Sequence, residues 1–87
     1  MELEQIRVFL AVADTGSYTK AARELFISHS TTSRAVSALE GELGTKLVDR
    51  QGGRVLGLTP AGEILRDRGR ALLKQSEDIR SAVSAAK

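Results

Sequence analysis

The chain has 87 residues, of which 41% are hydrophobic, and it contains one proline, one tyrosine and no cysteine. A chain of this length forms one small domain that buries only about 60% of its unfolded surface, so a partner subunit would add to its stability. The lack of cysteine excludes disulfides and thiolate metal sites, and no apolar run approaches the roughly 20 residues of a membrane span, so we expect a soluble, cytoplasmic protein.

The net charge of +2 is unevenly distributed along the chain. Residues 1–43 carry four basic and six acidic side chains, a net charge of −2, whereas residues 44–87 carry nine and five, a net charge of +4. A solvated surface without any partner would explain this bias as well as an anionic ligand would.

The first predicted element is an amphipathic helix that ends at Thr15-Gly16. Its apolar residues follow the 3, 4, 7 spacing of one helix face. They are Leu3, Ile6, Phe9, Leu10 and Ala13.

Two further helices follow after short connections. Ser17 stands where an N-cap belongs, and Ala21-Ala22 would let another helix approach the second helix closely. Ser28 is the next N-cap, about three residues after the second helix ends. Two short helices joined in this way form a helix-turn-helix.

The third helix, about residues 28–43, has two sides of different chemistry. At about 100° per residue, the apolar side, which should face the core, carries Thr32, Val36, Leu39 and Leu43. The side roughly 140° away carries Ser30, Ser33, Arg34 and Ser37. Short hydroxyls can contact phosphates or base edges, and arginine can donate two hydrogen bonds to guanine, so this side suits a DNA major groove. An ordinary solvated helix face would usually carry Glu and Lys instead.

The segment after Gly44 predicts a two-stranded ribbon. Strand-forming residues flank Gly52-Gly53, a pair that supplies the positive φ of a hairpin turn. Arg50 and Arg54 lie on either side of this turn, where they can meet phosphates or the minor groove, although surface solubility would also account for either one. A ribbon directly after a helix-turn-helix defines a winged helix.

The last predicted element is a long fourth helix, with Thr59 as N-cap and Pro60 at its first position. If it continues to Ala86 it is about 40 Å long, more than the three-helix core can cover. The stripe that would remain exposed predicts a symmetric homodimer through this helix; a lone, fraying helix is the alternative. The interface residues would be Leu65, Leu72, Ile79 and Val83.

The chain resembles the DNA-binding region of LysR-type bacterial transcriptional regulators over nearly its whole length. The residues that carry the resemblance are Leu3, Ile6, Phe9, Gly16-Ser17-Tyr18-Thr19, Ala21-Ala22, Ser33-Arg34, Leu39-Glu40, Leu43-Gly44, Leu47, Arg50 and Leu58-Thr59-Pro60-Ala61-Gly62.

The resemblance implies a mainly α fold in two parts. Residues 1–59 would be a winged helix-turn-helix with a three-helix core and a two-stranded wing, and residues 60–87 a long linker and dimerisation helix. A separate effector-binding domain, absent from this chain, would follow and bind a small molecule. The partners implied are double-stranded DNA and a second copy of the chain, with higher oligomers accessible to the full-length protein.

Three departures from the family pattern concern the predicted interface. His29-Ser30 stands where the family usually has Gln-Pro or Gln-Ser, and Ala35 and Ser37 are smaller than the residues common there. The segment from Gly52 to Thr59 is one residue longer than usual, which predicts a bulge in the hairpin and a shifted Arg54.

Each predicted DNA contact has an expected role. Arg34 is expected to recognise bases, supported by His29, Ser30, Thr31, Ser33 and Ser37. Backbone contacts are expected from Ser17, Thr19, Lys20, Arg50 and Arg54.

The sequence predicts no enzyme, metal site or cofactor. His29 has no second ligand nearby, and Ser28 is only its neighbour at a helix cap. Glu40 and Glu42 point to different helix faces, so they are not a catalytic pair. The alternative function is a winged helix used for protein interaction, which would expose anchoring aromatics or leucines on its free face rather than Ser and Arg.

Overall fold

The computed structural model describes residues 1–52 and 54–87, and in these residues it contains four helices and one antiparallel hairpin. The elements follow the order α1 (Leu3–Thr15), α2 (Tyr18–Leu25), α3 (His29–Leu43), β1 (Val48–Gln51), β2 (Arg54–Leu58) and α4 (Pro60–Ala85). The predicted mainly α winged helix-turn-helix is confirmed. Gly52 has the expected positive φ of 62°, while the part of the turn prediction that concerns Gly53 lies outside the described residues.

Helices α2, α3 and α4 begin directly after the N-cap residues predicted from the sequence. The Ser17, Ser28 and Thr59 hydroxyls accept hydrogen bonds from backbone amides one turn further on, at 3.0 to 3.1 Å. These bonds pair amides that otherwise have no partner within the helix. At the other ends, Gly16 and Gly44 take the left-handed conformation that terminates α1 and α3, and α4 ends one residue before the predicted Ala86.

Helix α1 lies at the centre of the core, because α2, α3 and α4 all pack against it. Ile6, Phe9 and Val12 are fully buried, and Val8 is nearly so. More of the helix surface is therefore buried than the single apolar face predicted from the sequence, because Val8 and Val12 are buried as well. Leu3, expected on the buried face, is instead 41% exposed at the start of the helix.

The connection between α2 and α3 turns through Phe26. This residue has a left-handed φ of 57°, and its side chain is 95% exposed. Such a backbone conformation is unusual for a bulky residue. It lets the Ile27 amide donate back to the Ala22 carbonyl at 3.0 Å, which closes the turn between the two helices.

The hairpin contains the predicted bulge. Val48 pairs with Leu58 and Asp49 with Gly57, but the next pair is Arg50 with Val55, so Leu56 has no partner on β1. The extra residue is thus accommodated within β2, and Arg54 pairs with Gln51 at the tip of the described strands.

Helix α4 packs on the core only along its first half. Gly62 and Gly69 are buried there, and Leu65 and Leu73 are half-buried against the core. Beyond them the helix projects from a molecule whose principal extents are 50 × 26 × 19 Å. The side chains of Leu72, Ile79 and Val83 are 42%, 58% and 64% exposed, whereas Leu65 packs within its own chain.

Leu43 was expected in the core but is 43% exposed, so that prediction is wrong. It lies in the last turn of α3, beyond the end of the three-helix packing. There it joins Met1, Ile64 and Leu65 in lining an open apolar groove of about 380 Å³. Among the described residues, no helix is long and apolar enough to span a membrane.

Candidate nucleic-acid interface

The N-termini of α2 and α3 open onto one polar cleft of about 240 Å³. Ser17 and Thr19 line it from α2, His29 from α3 and Arg54 from β2. Helix N-termini carry a partial positive charge and bind anions readily. The fold therefore brings four of the sequence-predicted contact residues together, and the bulged strand places Arg54 beside the helix-turn-helix.

The N-terminal turn of α3 is a network of hydroxyl groups. The Ser28 hydroxyl donates to Thr31 Oγ1 at 2.8 Å and lies 3.2 Å from the Ser30 hydroxyl. Arg34 Nη2 in turn donates to Thr31 Oγ1 at 3.3 Å. This chain of contacts orients Arg34 toward the start of its own helix. Ser28, assigned only a capping role from the sequence, is thus also the base of the network.

The two sides of α3 separate as predicted, apart from Leu43. Thr32, Val36 and Leu39 are 1% exposed or less. The polar side is exposed at Ser30, Thr31, Arg34 and Ser37, while Ser33 is half-buried. On α2, Thr19 and Lys20 are exposed and Ser17 is half-buried. Nearly all of the proposed contact surface is therefore open to a ligand.

A second cleft, of about 330 Å³, lies between α3 and the hairpin. Ser37 lines it from α3 and Arg50 from β1, and Lys46 lines it from the loop between them. The Lys46 side chain is 81% exposed, with its Nζ 3.9 Å from a Glu40 oxygen. Sequence reasoning did not select Lys46, because a single lysine in a connecting loop carries no positional signal until the fold places it.

Tyr18 connects the two clefts. Its side chain is 5% exposed, and the guanidinium carbon of Arg50 lies 4.4 Å from the centre of its ring. The His29 ring is 6.0 Å away and tilted by 40°. Burial raises the pKa of the Tyr18 hydroxyl, and the neighbouring Arg50 charge opposes that shift. Tyr18 thus contacts residues from β1 and α3 that were both predicted to touch DNA.

Most basic side chains of α4 make ion pairs with described residues, Arg68 being the exception. On α4, Arg66, Arg70, Lys74 and Arg80 each have a carboxylate partner within 4.0 Å. Around the clefts, no ion pair between described residues involves Lys20, Arg34, Arg50 or Arg54. On the surface formed by α2, α3 and the hairpin, these four cations therefore make no direct ion pair with a described carboxylate, although Glu40 and Asp49 line the second cleft.

The acidic residues of α3 have structural partners. Glu40 accepts hydrogen bonds from the Leu47 and Val48 amides, and Glu42 pairs with the Met1 amino group at 2.8 Å. No cluster of three or more His, Cys, Asp or Glu residues suited to a metal ion occurs in residues 1–52 and 54–87.

A three-helix core whose second and third helices form a helix-turn-helix, followed by a two-stranded wing, defines the winged helix-turn-helix class. Residues 3–63 match the family model of bacterial regulatory helix-turn-helix proteins of the lysR family. The chain belongs to the LysR family, and it corresponds to the winged helix-turn-helix domain of that family.

Relatives and solved structures agree with this assignment. The chain is 40% identical over 83 residues to the SDS degradation transcriptional activation protein of a Pseudomonas species, and 41% identical over 83 residues to the transcriptional activator AaeR of Escherichia coli. These matches cover 95% of this chain but only 27% and 26% of the relatives. The chain therefore spans about a quarter of the length of these two proteins.

Two solved structures similar to this chain are DNA complexes of isolated domains. The BenM domain bound to benA site 1 DNA superposes with a TM-score of 0.93 at 34% identity, and the match covers 100% of both chains. The CbnR domain–DNA complex superposes with a TM-score of 0.92 at 32% identity, covering 99% of this chain and 98% of the other.

Proposed function

We propose that this chain binds double-stranded DNA in a sequence-specific manner, with α3 in the major groove and the hairpin on the backbone or in the minor groove. The observation that carries the proposal is a group of four cations on α2, α3 and the hairpin that make no ion pair with any described residue; they are Lys20, Arg34, Arg50 and Arg54. Phosphates would supply the missing negative charge. The BenM and CbnR domains, which share this fold, have been solved with DNA.

The contacts divide into base recognition and anchoring. Arg34 stands on the exposed side of α3 among short hydroxyls, so its guanidinium can reach base edges, with His29, Ser30, Thr31, Ser33 and Ser37 as supporting contacts. Ser17, Thr19, Lys20, Arg50 and Arg54 would hold the phosphate backbone. The cleft shared by Ser17, Thr19, His29 and Arg54 supports this division, since one strand of the duplex can meet all four.

The chain would act as a homodimer through α4. Leu72, Ile79 and Val83 fall on one side of the projecting half of the helix, and all three are exposed in the single chain. Covering them with a second copy would recover about 25 cal/mol for each Å² of apolar surface removed from water. Leu65 would contribute at the edge of this interface, because it is already half-buried in its own core. Two α3 helices related by this symmetry require a DNA site that is an interrupted inverted repeat.

In the full-length protein, this module would belong to a cytoplasmic transcriptional regulator without enzymatic activity. A following domain would bind a small-molecule effector, and higher oligomers would be accessible to the full-length protein. The two relatives named above are transcriptional activators, which supports this assignment.

The direct test is fluorescence anisotropy with labelled duplexes over a range of salt concentrations. Three backbone cations per subunit, Lys20, Arg50 and Arg54, should give a logarithmic salt slope of about −3 per subunit. Binding that does not change with salt, or no binding to any duplex at low salt, would contradict the proposal.

A further inference from the structure

Arg50 is held in place before any ligand arrives. Its guanidinium carbon lies 4.4 Å from the centre of the Tyr18 ring, within the range of a cation–π contact. Tyr18 is buried, so the ring is a fixed support, whereas Arg50 itself is exposed at the edge of β1. The guanidinium carbon therefore lies over the ring, while Arg50 as a residue remains exposed to solvent.

Arg54, on the neighbouring strand, provides the natural comparison. It is exposed like Arg50, and the only cation–π contact found in residues 1–52 and 54–87 is that of Arg50 with Tyr18. A long flexible cation that is free in solution loses side-chain entropy when it binds a phosphate. The contact with Tyr18 restricts Arg50 before binding, whereas no cation–π contact within the described part of the chain restricts Arg54.

We infer that Tyr18 is a positioning residue for DNA binding, which orders the Arg50 side chain and fixes the hairpin against the starts of α2 and α3. The inference rests on the proposed function and deepens it. The His29 ring lies 6.0 Å from the same tyrosine ring, so one buried aromatic sets the spacing between a contact on the wing and a contact on the recognition helix. Tyr18 itself does not need to touch DNA.

A double-mutant cycle on DNA affinity tests this inference. In the wild-type background, Arg50→Gln should weaken duplex binding by about tenfold. In a Tyr18→Leu background, which keeps an apolar side chain in the core, the same change should weaken it by less than about threefold, because Arg50 is no longer ordered. The matched control, Arg54→Gln, should lower affinity by the same factor in both backgrounds. An equal loss for Arg50→Gln in both would overturn the inference.

The stacking can also be followed in the free protein. The side-chain methylene protons of Arg50 should show upfield NMR shifts from the Tyr18 ring, retained in Tyr18→Phe and lost in Tyr18→Leu. Absence of such shifts in the wild type would overturn the inference without affecting the proposed function. Failure of the wild type to bind any duplex would overturn both.

A third comparison does not depend on the folding of Tyr18→Leu. Arg50→Lys keeps the positive charge but lacks the planar group that stacks on an aromatic ring. It should lose at least about fivefold in affinity, and more than Arg54→Lys loses. Equal losses for the two lysine variants would show that Arg50 acts as a simple charge and would overturn the inference.

Discussion

Glu40, near the end of α3, accepts a 2.8 Å hydrogen bond from the backbone amide of Leu47, at the base of the wing. The same oxygen lies 3.4 Å from the Val48 amide, and the Glu40 side chain is only 14% exposed. On the other side of the wing, the Thr59 hydroxyl donates to the Lys46 carbonyl at 2.7 Å. The Glu40 contacts tie the base of the hairpin to α3, and the Thr59 contact joins the two ends of the hairpin to each other.

Glu40→Ala should destabilise the fold, because it leaves the Leu47 amide without its charged acceptor. Hydrogen bonds to charged groups contribute about 1.5–3 kcal/mol, and Glu40→Gln, which keeps an acceptor oxygen, should lose less. Urea denaturation measures both. Glu77→Ala on α4 is the control, since the one contact of the Glu77 carboxylate with a described residue is an exposed ion pair with Arg80 at 4.0 Å. Equal losses in the free energy of unfolding for the Glu40 and Glu77 variants would show that the Glu40–Leu47 hydrogen bond has no role in stability.

Substituting alanine for two helical glycines, Gly62 and Gly41, should change the stability of the fold in opposite directions. A Cβ atom at Gly62 would overlap the Leu47 carbonyl oxygen, where the backbone cannot yield easily, so Gly62→Ala should cost about 3 kcal/mol. At Gly41 nothing lies within 4 Å of the added atom, and Gly41→Ala should stabilise α3 by about 0.5–1 kcal/mol. Thermal unfolding checks both signs, and a stable Gly62→Ala variant would contradict the close packing of α4 on the wing base.

The Asp14–Arg70 ion pair should make a small contribution to stability that depends on pH. Hydrogen bonding from Arg70, at 2.8 Å and 3.3 Å, holds the pKa of the Asp14 carboxyl below its ordinary value. A lowered pKa means that the contribution is present above the ordinary value of 3.8 and lost as the pH falls below it.

Asp14→Asn should therefore lower the melting temperature by at most a few degrees at pH 7, because both side chains are about half exposed. The difference from the wild type should shrink as the pH falls through about 4. A difference that grew on acidification would contradict the assigned shift, and Asp49→Asn, at an exposed aspartate that makes no ion pair with a described residue, provides the control.

If α4 forms the dimer interface, charged substitutions on its exposed apolar side should change the oligomeric state and the DNA affinity of the chain. Leu72→Asp combined with Ile79→Asp should give monomers that keep the winged helix but bind a full DNA site little better than a half-site. Ser81→Asp combined with Ala85→Asp adds the same charge on the opposite side of α4 and should leave dimers intact. Sedimentation measures the mass of each variant, and a wild-type chain that stays monomeric at high micromolar concentration would contradict the dimer.

Local signals in the sequence were sufficient to predict the helix-turn-helix and the wing. The caps at Ser17, Ser28 and Thr59 depend on residues within one helical turn. The hairpin bulge was predicted from the one extra residue in the segment from Gly52 to Thr59. Such features can be recognised without knowing which elements pack together.

Features that depend on distant parts of the chain were missed. The exposure of Leu43 follows from where the core ends, and the burial of α1 on several sides follows from the three helices packed against it. The Tyr18–Arg50 contact and the Glu40–Leu47 clamp join different elements, so neither leaves a periodic signal in the sequence. The contact residues themselves could be proposed from side-chain type and helical angle, whereas their grouping into two clefts required the fold.

DNA recognition by α3 is tested by comparing Arg34→Ala with Arg54→Ala on two DNAs, a site selected from random duplexes by the wild-type chain and an unselected duplex. Arg34→Ala should lose about 1–3 kcal/mol of binding free energy on the selected site and much less on the unselected one, because it removes base recognition. Arg54→Ala should weaken both by a similar factor. Equal losses for the two variants on both DNAs would contradict the assignment of base recognition to α3 and of anchoring to the wing.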